Sequence, residues 1–275
     1  MPRTKESAQK SMSTKLKGLI AATYTPLAAD GGLNLAQIGP LVEHLLSKGV
    51  DGLFVCGSTG EGMSLTTAER KDVAAEFIRA TAGRVPVIVH VGHNSLSDAA
   101  DLAAHAATSG AEAISATCPS YYPINSPKTL IECMSQVANA AESTPFYYYH
   151  IPVLTGIDLP MPDFLRQAES RIPNLVGLKF TKPAVHEFQQ CLELHDRRFD
   201  VLWGVDEMLL SALVVGARGA VGSTYNIAAP LYRQLWDAFD AGELQRAARG
   251  QAKSVMLIDL IAQFPFHPAM KRILQ

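Results

Sequence analysis

Residues 175–181 read LVGLKFT. The run is almost wholly apolar and far shorter than a typical helix. It does not alternate apolar with polar, so it reads as a strand covered on both faces, as strands of a parallel sheet are. Seven more runs of this kind occur: LKGLIAATY (16–24), GLFVCG (52–57), VPVIVHVG (85–92), AEAISATCP (111–119), PFYYYHIP (145–152), DVLWGVDE (200–207) and GAVGSTYN (219–226).

Between the runs lie stretches with helical spacing. In 34–48, Leu35, Ile38, Leu41, Val42, Leu45 and Leu46 form one stripe, and Gly49 is placed to end the helix. Thr66 or Thr67 can cap the next helix, with Glu69 in its first turn. Helices are also expected over 96–109, 127–142, 161–170, 184–195, 207–215 and 230–240. A faint repeat, in which Gly49, Gly110 and Gly216 each stand just before a strand, marks one supersecondary unit used again and again. Eight strand–helix units in about 250 residues predict a TIM (β/α)8 barrel. The competing doubly wound sheet would carry a Gly-rich dinucleotide turn after the first strand, and none follows. Two further helices, 243–263 and 268–275, close the chain, and the absence of a stop signal at Gln275 predicts that the last one continues in a longer native protein. The expected organisation is a polar N-terminal tail over 1–15 and one barrel domain with a helical extension over 16–275.

Composition narrows the class. Hydrophobic residues make up 48% and charged residues 18%, which suits a large buried core. With 24 basic and 26 acidic residues the net charge is −2, giving no reason to expect nucleic-acid or anionic-membrane partners. Cys56, Cys118, Cys133 and Cys191 form no CxxC pair and read as reduced thiols. No run reaches the roughly 20 apolar residues of a membrane span, and the N-terminus lacks a signal-peptide core. The expected location is the cytoplasm.

In a barrel of this type the chemistry sits at the C-terminal ends of the strands. Run two ends in Gly57-Ser58-Thr59-Gly60-Glu61-Gly62, where hydroxyls and backbone N–H groups can receive a carboxylate; an ordinary Gly-rich loop is the plainer reading. Run six ends in Lys179-Phe180-Thr181. A lysine in an apolar strand should lose proton affinity, and its neutral amine can attack a ketone, although a rim lysine or a buried ion pair would look the same. In run five, Tyr147 and Tyr149 share a face, and Tyr149 stands near the strand end, where a phenol can relay a proton or simply pack. Run seven ends in Gly204-Val205-Asp206-Glu207, whose carboxylates could bind sugar hydroxyls or, for Asp206, cap the following helix. Run eight offers Ser223 and Thr224. His90 and His93 have metal-like spacing but no third ligand nearby, so the expectation is no metal and no cofactor.

These rim residues together resemble the dihydrodipicolinate synthase family, in its N-acetylneuraminate lyase branch. GSTGEG (57–62), YYYHIPVLTG (147–156), GLKF (177–180), GVDE (204–207) and GSTYN (222–226) occur in the family's order, and the likeness runs from about Leu16 to the end. The resemblance implies a class I aldolase. Lys179 would form the Schiff base, Tyr149 would act as acid and base, and Ser58 and Thr59 would hold the substrate carboxylate. Thr181, Gly204, Asp206, Glu207 and Ser223 match sugar-binding positions. Tyr121 matches an aromatic that a neighbouring subunit lends to the site, which implies a homotetramer, and FPFHPA (264–269) admits a match of Phe266 to a site aromatic. The lysine-biosynthetic relatives resemble VPSRT after the tyrosine motif; here Ile151-Pro152-Val153-Leu154-Thr155 has no arginine.

The expected reaction is cleavage of the sialic acid N-acetylneuraminate to N-acetylmannosamine and pyruvate. Another pyruvate-dependent aldolase, acting on 2-keto-3-deoxy sugar acids or as 4-hydroxy-tetrahydrodipicolinate synthase, is the near alternative. A non-catalytic sugar-acid-binding barrel or a phosphosugar isomerase would need no Lys179.

Overall fold

Eight parallel strands pair in chain order, and β1 closes on β8 through Gly18↔Gly219 and Ala21↔Gly222. The computed structural model describes residues 15–275; apart from Lys15, the expected N-terminal tail lies outside the described residues. The strands are β1 Gly18–Ala22, β2 Gly52–Val55, β3 Val87–His90, β4 Ala113–Ala116, β5 Phe146–His150, β6 Leu175–Phe180, β7 Asp200–Trp203 and β8 Gly219–Gly222. All eight expected runs are present, each shorter than the apolar stretch that signalled it. The surplus residues lie in the turns that flank the strands, Leu16, Val85, Ala111 and Pro145 before them and Val91, Cys118 and Ile151 after them.

Alternation splits each strand between two cores. Ile20, Phe54, Ile88, Tyr147, Tyr149, Leu202 and Val221 point into the barrel. Leu19, Leu53, Val55, Val89, Tyr148, Phe180 and Trp203 point outward and pack under the helices. Both faces are buried, so no polar alternation survives in the sequence. At the bottom, Tyr147 Oη donates to Asp200 Oδ2 (2.7 Å), which also accepts from Leu16 N (3.0 Å). This contact plugs the N-terminal end of the barrel.

The helices that follow are α1 Ile38–Ser47, α2 Thr67–Thr81, α3 Leu96–Thr108, α4 Pro127–Asn139, α5 Pro152–Thr155, α6 Met161–Ala168, α7 Val185–Glu193, α8 Leu209–Val214, α9 Tyr225–Asp240, α10 Leu244–Ile261 and α11 Phe266–Ile273. Thr66 forms the expected capping box with Glu69. Gly49, Gly110 and Gly216 all take positive φ, as the repeat requires. Two helical segments differ from expectation. The short α5 begins on Pro152 and ends on Gly156, the Pro-first, Gly-last signature that a strand assignment through 152 obscured. Helix α9 starts at Tyr225 rather than Pro230, bending at Ala228 (φ −131°) so that Pro230 is accommodated. Among the described residues no helix is long and apolar enough to cross a membrane.

Candidate active site

Lys179 lies near the end of β6 and is 4% exposed. Its Nζ stands 4.0 Å from the centroid of the Tyr149 ring and 4.2 Å from that of Phe54. Among the described residues no carboxylate pairs with it, so neither the rim-lysine nor the ion-pair alternative describes this side chain. Tyr149 is its direct register partner on β5. The phenol ring meets Phe54 and His90 edge to face at 5.5 and 5.6 Å, which fixes its orientation, and its Oη lies 3.4 Å from Ser58 Oγ.

His90 supports that ring as a neutral imidazole. Its Nδ1–H donates to Cys56 O (3.2 Å) and its Nε2 accepts from Thr117 N (3.2 Å). Burial, reinforced by the Arg70 cation, pushes its proton affinity well below the ordinary histidine range. Arg70, itself 1% exposed, donates to His90 O (2.7 Å) and Gly92 O (2.8 Å) and so ties α2 to the end of β3. Both ring nitrogens of His90 are therefore used within the protein.

The loop after β2 is bent by two non-glycine residues with positive φ, Cys56 (59°) and Glu61 (55°). Such conformations cost about 1–3 kcal/mol each and persist where the surroundings enforce them. Glu61 pairs with Lys271 on α11 (2.6 Å), and His267 Nε2, on the same helix, bonds Ser58 O (3.1 Å). Thr59 Oγ1 meets Ser223 Oγ at 2.6 Å, linking this loop to the one after β8. The C-terminal helix thus grips the Ser58–Thr59 turn from above.

The opposite wall carries Thr181, Gly204, Asp206 and Glu207. A Cβ on Gly204 would stand 2.1 Å from Thr181 Oγ1, so only glycine leaves that hydroxyl its place. Thr181 Oγ1 is buried without a hydrogen-bond partner among the described residues. Asp206 is 7% exposed and does not cap its own helix. Instead Oδ2 accepts from Thr224 N (2.9 Å) and Thr224 Oγ1 (2.5 Å), which replaces the capping alternative and leaves Oδ1 beneath Gly222. Burial pushes the Asp206 carboxyl up to about 6, while the Thr224 bonds oppose the rise. Glu207 is exposed beside it.

These groups surround a cavity of about 260 Å³ lined by Ser58, Thr59, Tyr149, Lys179, Thr181, Gly204, Asp206, Glu207 and Ser223, and closed by Ile258 and Phe266. Ten of the eleven positions that the resemblance matched to the site, Phe266 included, meet here. Tyr121 does not: it is 78% exposed in the loop after β4, stacked edge-on against Tyr122 and away from this cavity. A larger surface groove of about 600 Å³ beside α6 and α7 is lined by ion-paired side chains such as Lys182, Asp158 and Glu187 and shares no lining residue with the Lys179 cavity. Sequence reasoning offered Thr224 only as a rim hydroxyl, not as the anchor of Asp206, and it missed Phe54, Ile258, His267 and Lys271. Phe54 lay inside a recognised run, whereas the missed α10–α11 residues carry no local signal of their role.

A profile of the Dihydrodipicolinate synthetase family matches residues 15–275. The chain is 48% identical over 239 residues to the N-acetylneuraminate lyase of Xenopus tropicalis, covering 86% of this chain and 78% of that one. It is 41% identical over 255 residues to the N-acetylneuraminate lyase of Rattus norvegicus, covering 92% and 80%. The solved structure of Proteus mirabilis N-acetylneuraminate lyase superposes with a TM-score of 0.93 at 40% identity, over 95% of this chain and 88% of that one.

Proposed function

The chain belongs to the dihydrodipicolinate synthetase family, and from that premise we propose that it is a class I lyase. It cleaves N-acetylneuraminate reversibly to N-acetyl-D-mannosamine and pyruvate. The observation that carries the chemistry is Lys179 Nζ, buried at the barrel mouth against the Tyr149 ring with no ion-pair partner among the described residues.

The steps follow from the geometry. The free amine of Lys179 attacks the keto carbon of the open-chain sugar acid; loss of water leaves a protonated imine conjugate to the departing bond. Tyr149 gives its phenol proton to the hydroxyl that leaves as water, and the phenolate so formed takes the proton of the β-hydroxyl as the carbon–carbon bond breaks and its electron pair moves into the imine to give an enamine. The aldehyde product leaves, Tyr149 returns the proton to the enamine carbon, and water adds to the imine and releases pyruvate and the amine of Lys179. Ser58 and Thr59 receive the substrate carboxylate. Thr181, Gly204, Asp206, Glu207 and Ser223 receive its hydroxylated end, where charged acceptors suit a polyol.

Borohydride with pyruvate should add one reduced pyruvyl group at Lys179, seen by intact mass and peptide mapping. Lys179→Ala should stay folded and lose turnover. Labelling at another lysine would end the assignment. Turnover of a panel of 2-keto sugar acids separates N-acetylneuraminate from 2-keto-3-deoxy acids.

The assembly belongs to the same reading. Tyr121, Tyr122, Val153 and Leu154 are 78, 80, 82 and 64% exposed on loops after β4 and β5. Large apolar side chains at that density suit a subunit contact through which Tyr121 reaches a neighbour's site, in a cytoplasmic homotetramer. A monomer in sedimentation, at concentrations where the enzyme is active, would refute it.

A further inference from the structure

Asp206 is joined to the C-terminal helices by a chain of buried groups. Thr224 Oγ1, which reaches Asp206 Oδ2, lies 2.6 Å from Tyr232 Oη on α9. Tyr232 Oη lies 2.9 Å from Ser254 Oγ on α10, and Ser254 Oγ lies 3.2 Å from Gln251 Nε2. Thr224, Tyr232 and Ser254 are 2, 0 and 0% exposed, so water does not satisfy them.

Proton counting gives the chain one direction. Leu210 N donates to Gln251 Oε1 (2.8 Å), which fixes the amide with Nε2 turned to Ser254 and to Asp206 O (3.2 Å). An ionised Asp206 only accepts, so it takes the single hydroxyl proton of Thr224. Thr224 must then accept from Tyr232; Ser254, which accepts from Gln251, gives its proton to Tyr232 Oη at 2.9 Å in preference to its other acceptor, Asp206 O, at 3.5 Å. Every donor points toward the carboxylate, and bonds aligned in this way polarise one another in the same sense.

We propose that Tyr232, Ser254 and Gln251 are positioning residues that, through Thr224, hold Asp206 ionised and aimed at the hydroxylated end of the substrate. The inference rests on the reading of Asp206 as a substrate-binding group. Charged and titratable groups facing Asp206 are Lys179 from β6, which favours its anion, and Glu207, which opposes it. The phenols of Tyr24, Tyr225 and Tyr232 also face it. The carboxyl of Asp206 is already raised by burial, and once protonated it is a weaker, uncharged acceptor that turns a donor into the chain. Cleavage of the sugar acid therefore falls as pH drops through its titration, and weakening the donor chain moves that limb to higher pH.

The test is the pH profile of kcat/KM for N-acetylneuraminate cleavage in Tyr232→Phe, which keeps the ring, in Ser254→Ala and in the double variant. Tyr232→Phe should move the acid limb up by roughly half a pH unit, as expected when a charge-assisted hydrogen bond weakens by tens of per cent. Ser254→Ala should move it less, and the double variant no further than Tyr232→Phe, because both cut one chain. Pyruvate trapping at Lys179 should be unchanged. Infrared difference spectra of the free protein against pH, with Asp206→Asn as blank, should show the same shifts without any substrate. Unmoved titrations in both single variants, additive shifts, or equal loss of pyruvate trapping would overturn the proposal. If the spectra shift while wild type fails to cleave N-acetylneuraminate, the donor chain stands and the substrate reading falls.

Discussion

An alanine at position 204 would set a methyl carbon against Thr181 and so test how this wall of the site is built. The new Cβ would stand 2.1 Å from Thr181 Oγ1, 3.0 Å from Thr181 Cβ and 3.1 Å from Phe180 O. Carbon and oxygen normally stay about 3.3 Å apart, so the hydroxyl must swing away by more than about an ångström or the strand end must retreat. Retreat is resisted, since Gly204 N donates to Phe180 O at 2.8 Å and Trp203 is in register with Phe180. Overpacking of this kind costs about 1–3 kcal/mol, or roughly 2–10 °C in Tm for a chain of this size. On the proposed role of Thr181, turning its hydroxyl away should also remove one hydrogen bond to substrate, roughly 0.5–1.5 kcal/mol or about 2- to 13-fold in kcat/KM. Thermal unfolding and steady-state kinetics of Gly204→Ala, Thr181→Ala and the double variant read both effects. The double variant should be more stable than the sum of the single losses allows, because the atom in the closest clash is gone, while its activity should match Thr181→Ala. A Gly204→Ala protein as stable as wild type, or strictly additive losses, would refute the packing argument.

Two further substitutions separate chemistry from recognition. Tyr149→Phe should still form the borohydride-trapped pyruvyl adduct but lose about 100- to 10,000-fold in kcat for cleavage, the usual contribution of a placed acid–base group; retained kcat would remove Tyr149 from that role. Glu207→Gln should lower kcat/KM for the sugar acid by about 10- to 200-fold with pyruvate trapping intact. Asp206→Asn should add a loss of thermal stability, since its Oδ2 anchors Thr224.

The strands were legible because a strand buried on both faces leaves a continuous apolar run, and all eight did. The Thr66–Glu69 capping box was equally local. Tyr147 and Tyr149 were seen to share a face, but their different tasks follow from depth in the barrel: Tyr147 bonds Asp200 at the plugged end, and Tyr149 faces Lys179 at the mouth. Local periodicity does not carry depth. Nor does it reveal that His267 would reach Ser58 O across 209 residues of chain, or that Asp206 would turn from its own helix to Thr224, 18 residues on. Those contacts come from closure of the barrel and the return of α11 across its top.

The elements divide the labour in a way that explains why so much of the site was readable. Lys179 and Tyr149 sit inside strands in direct register, so their separation is set by the hydrogen-bond ladder of β5 and β6 and hardly varies with loop sequence. The groups assigned to the sugar, namely Thr181, Gly204, Asp206, Glu207 and Ser223, all lie beyond the last residue of a strand. Their positions depend on what holds the loops. Contacts from outside the repeated unit supply that hold: Gln251 and Ser254 on the loop of Asp206 and Glu207, and His267 and Lys271 on the Ser58–Thr59 turn, which bonds Ser223 through Thr59. On the proposed assignment, a barrel arranged like this can change the sugar it accepts by altering loop residues or their helical anchors, without moving the amine assigned to the imine. The groups proposed to break the bond are therefore written in the strands, where burial and register make them visible. The groups proposed to choose the substrate are placed by contacts between distant segments, which only the folded molecule displays.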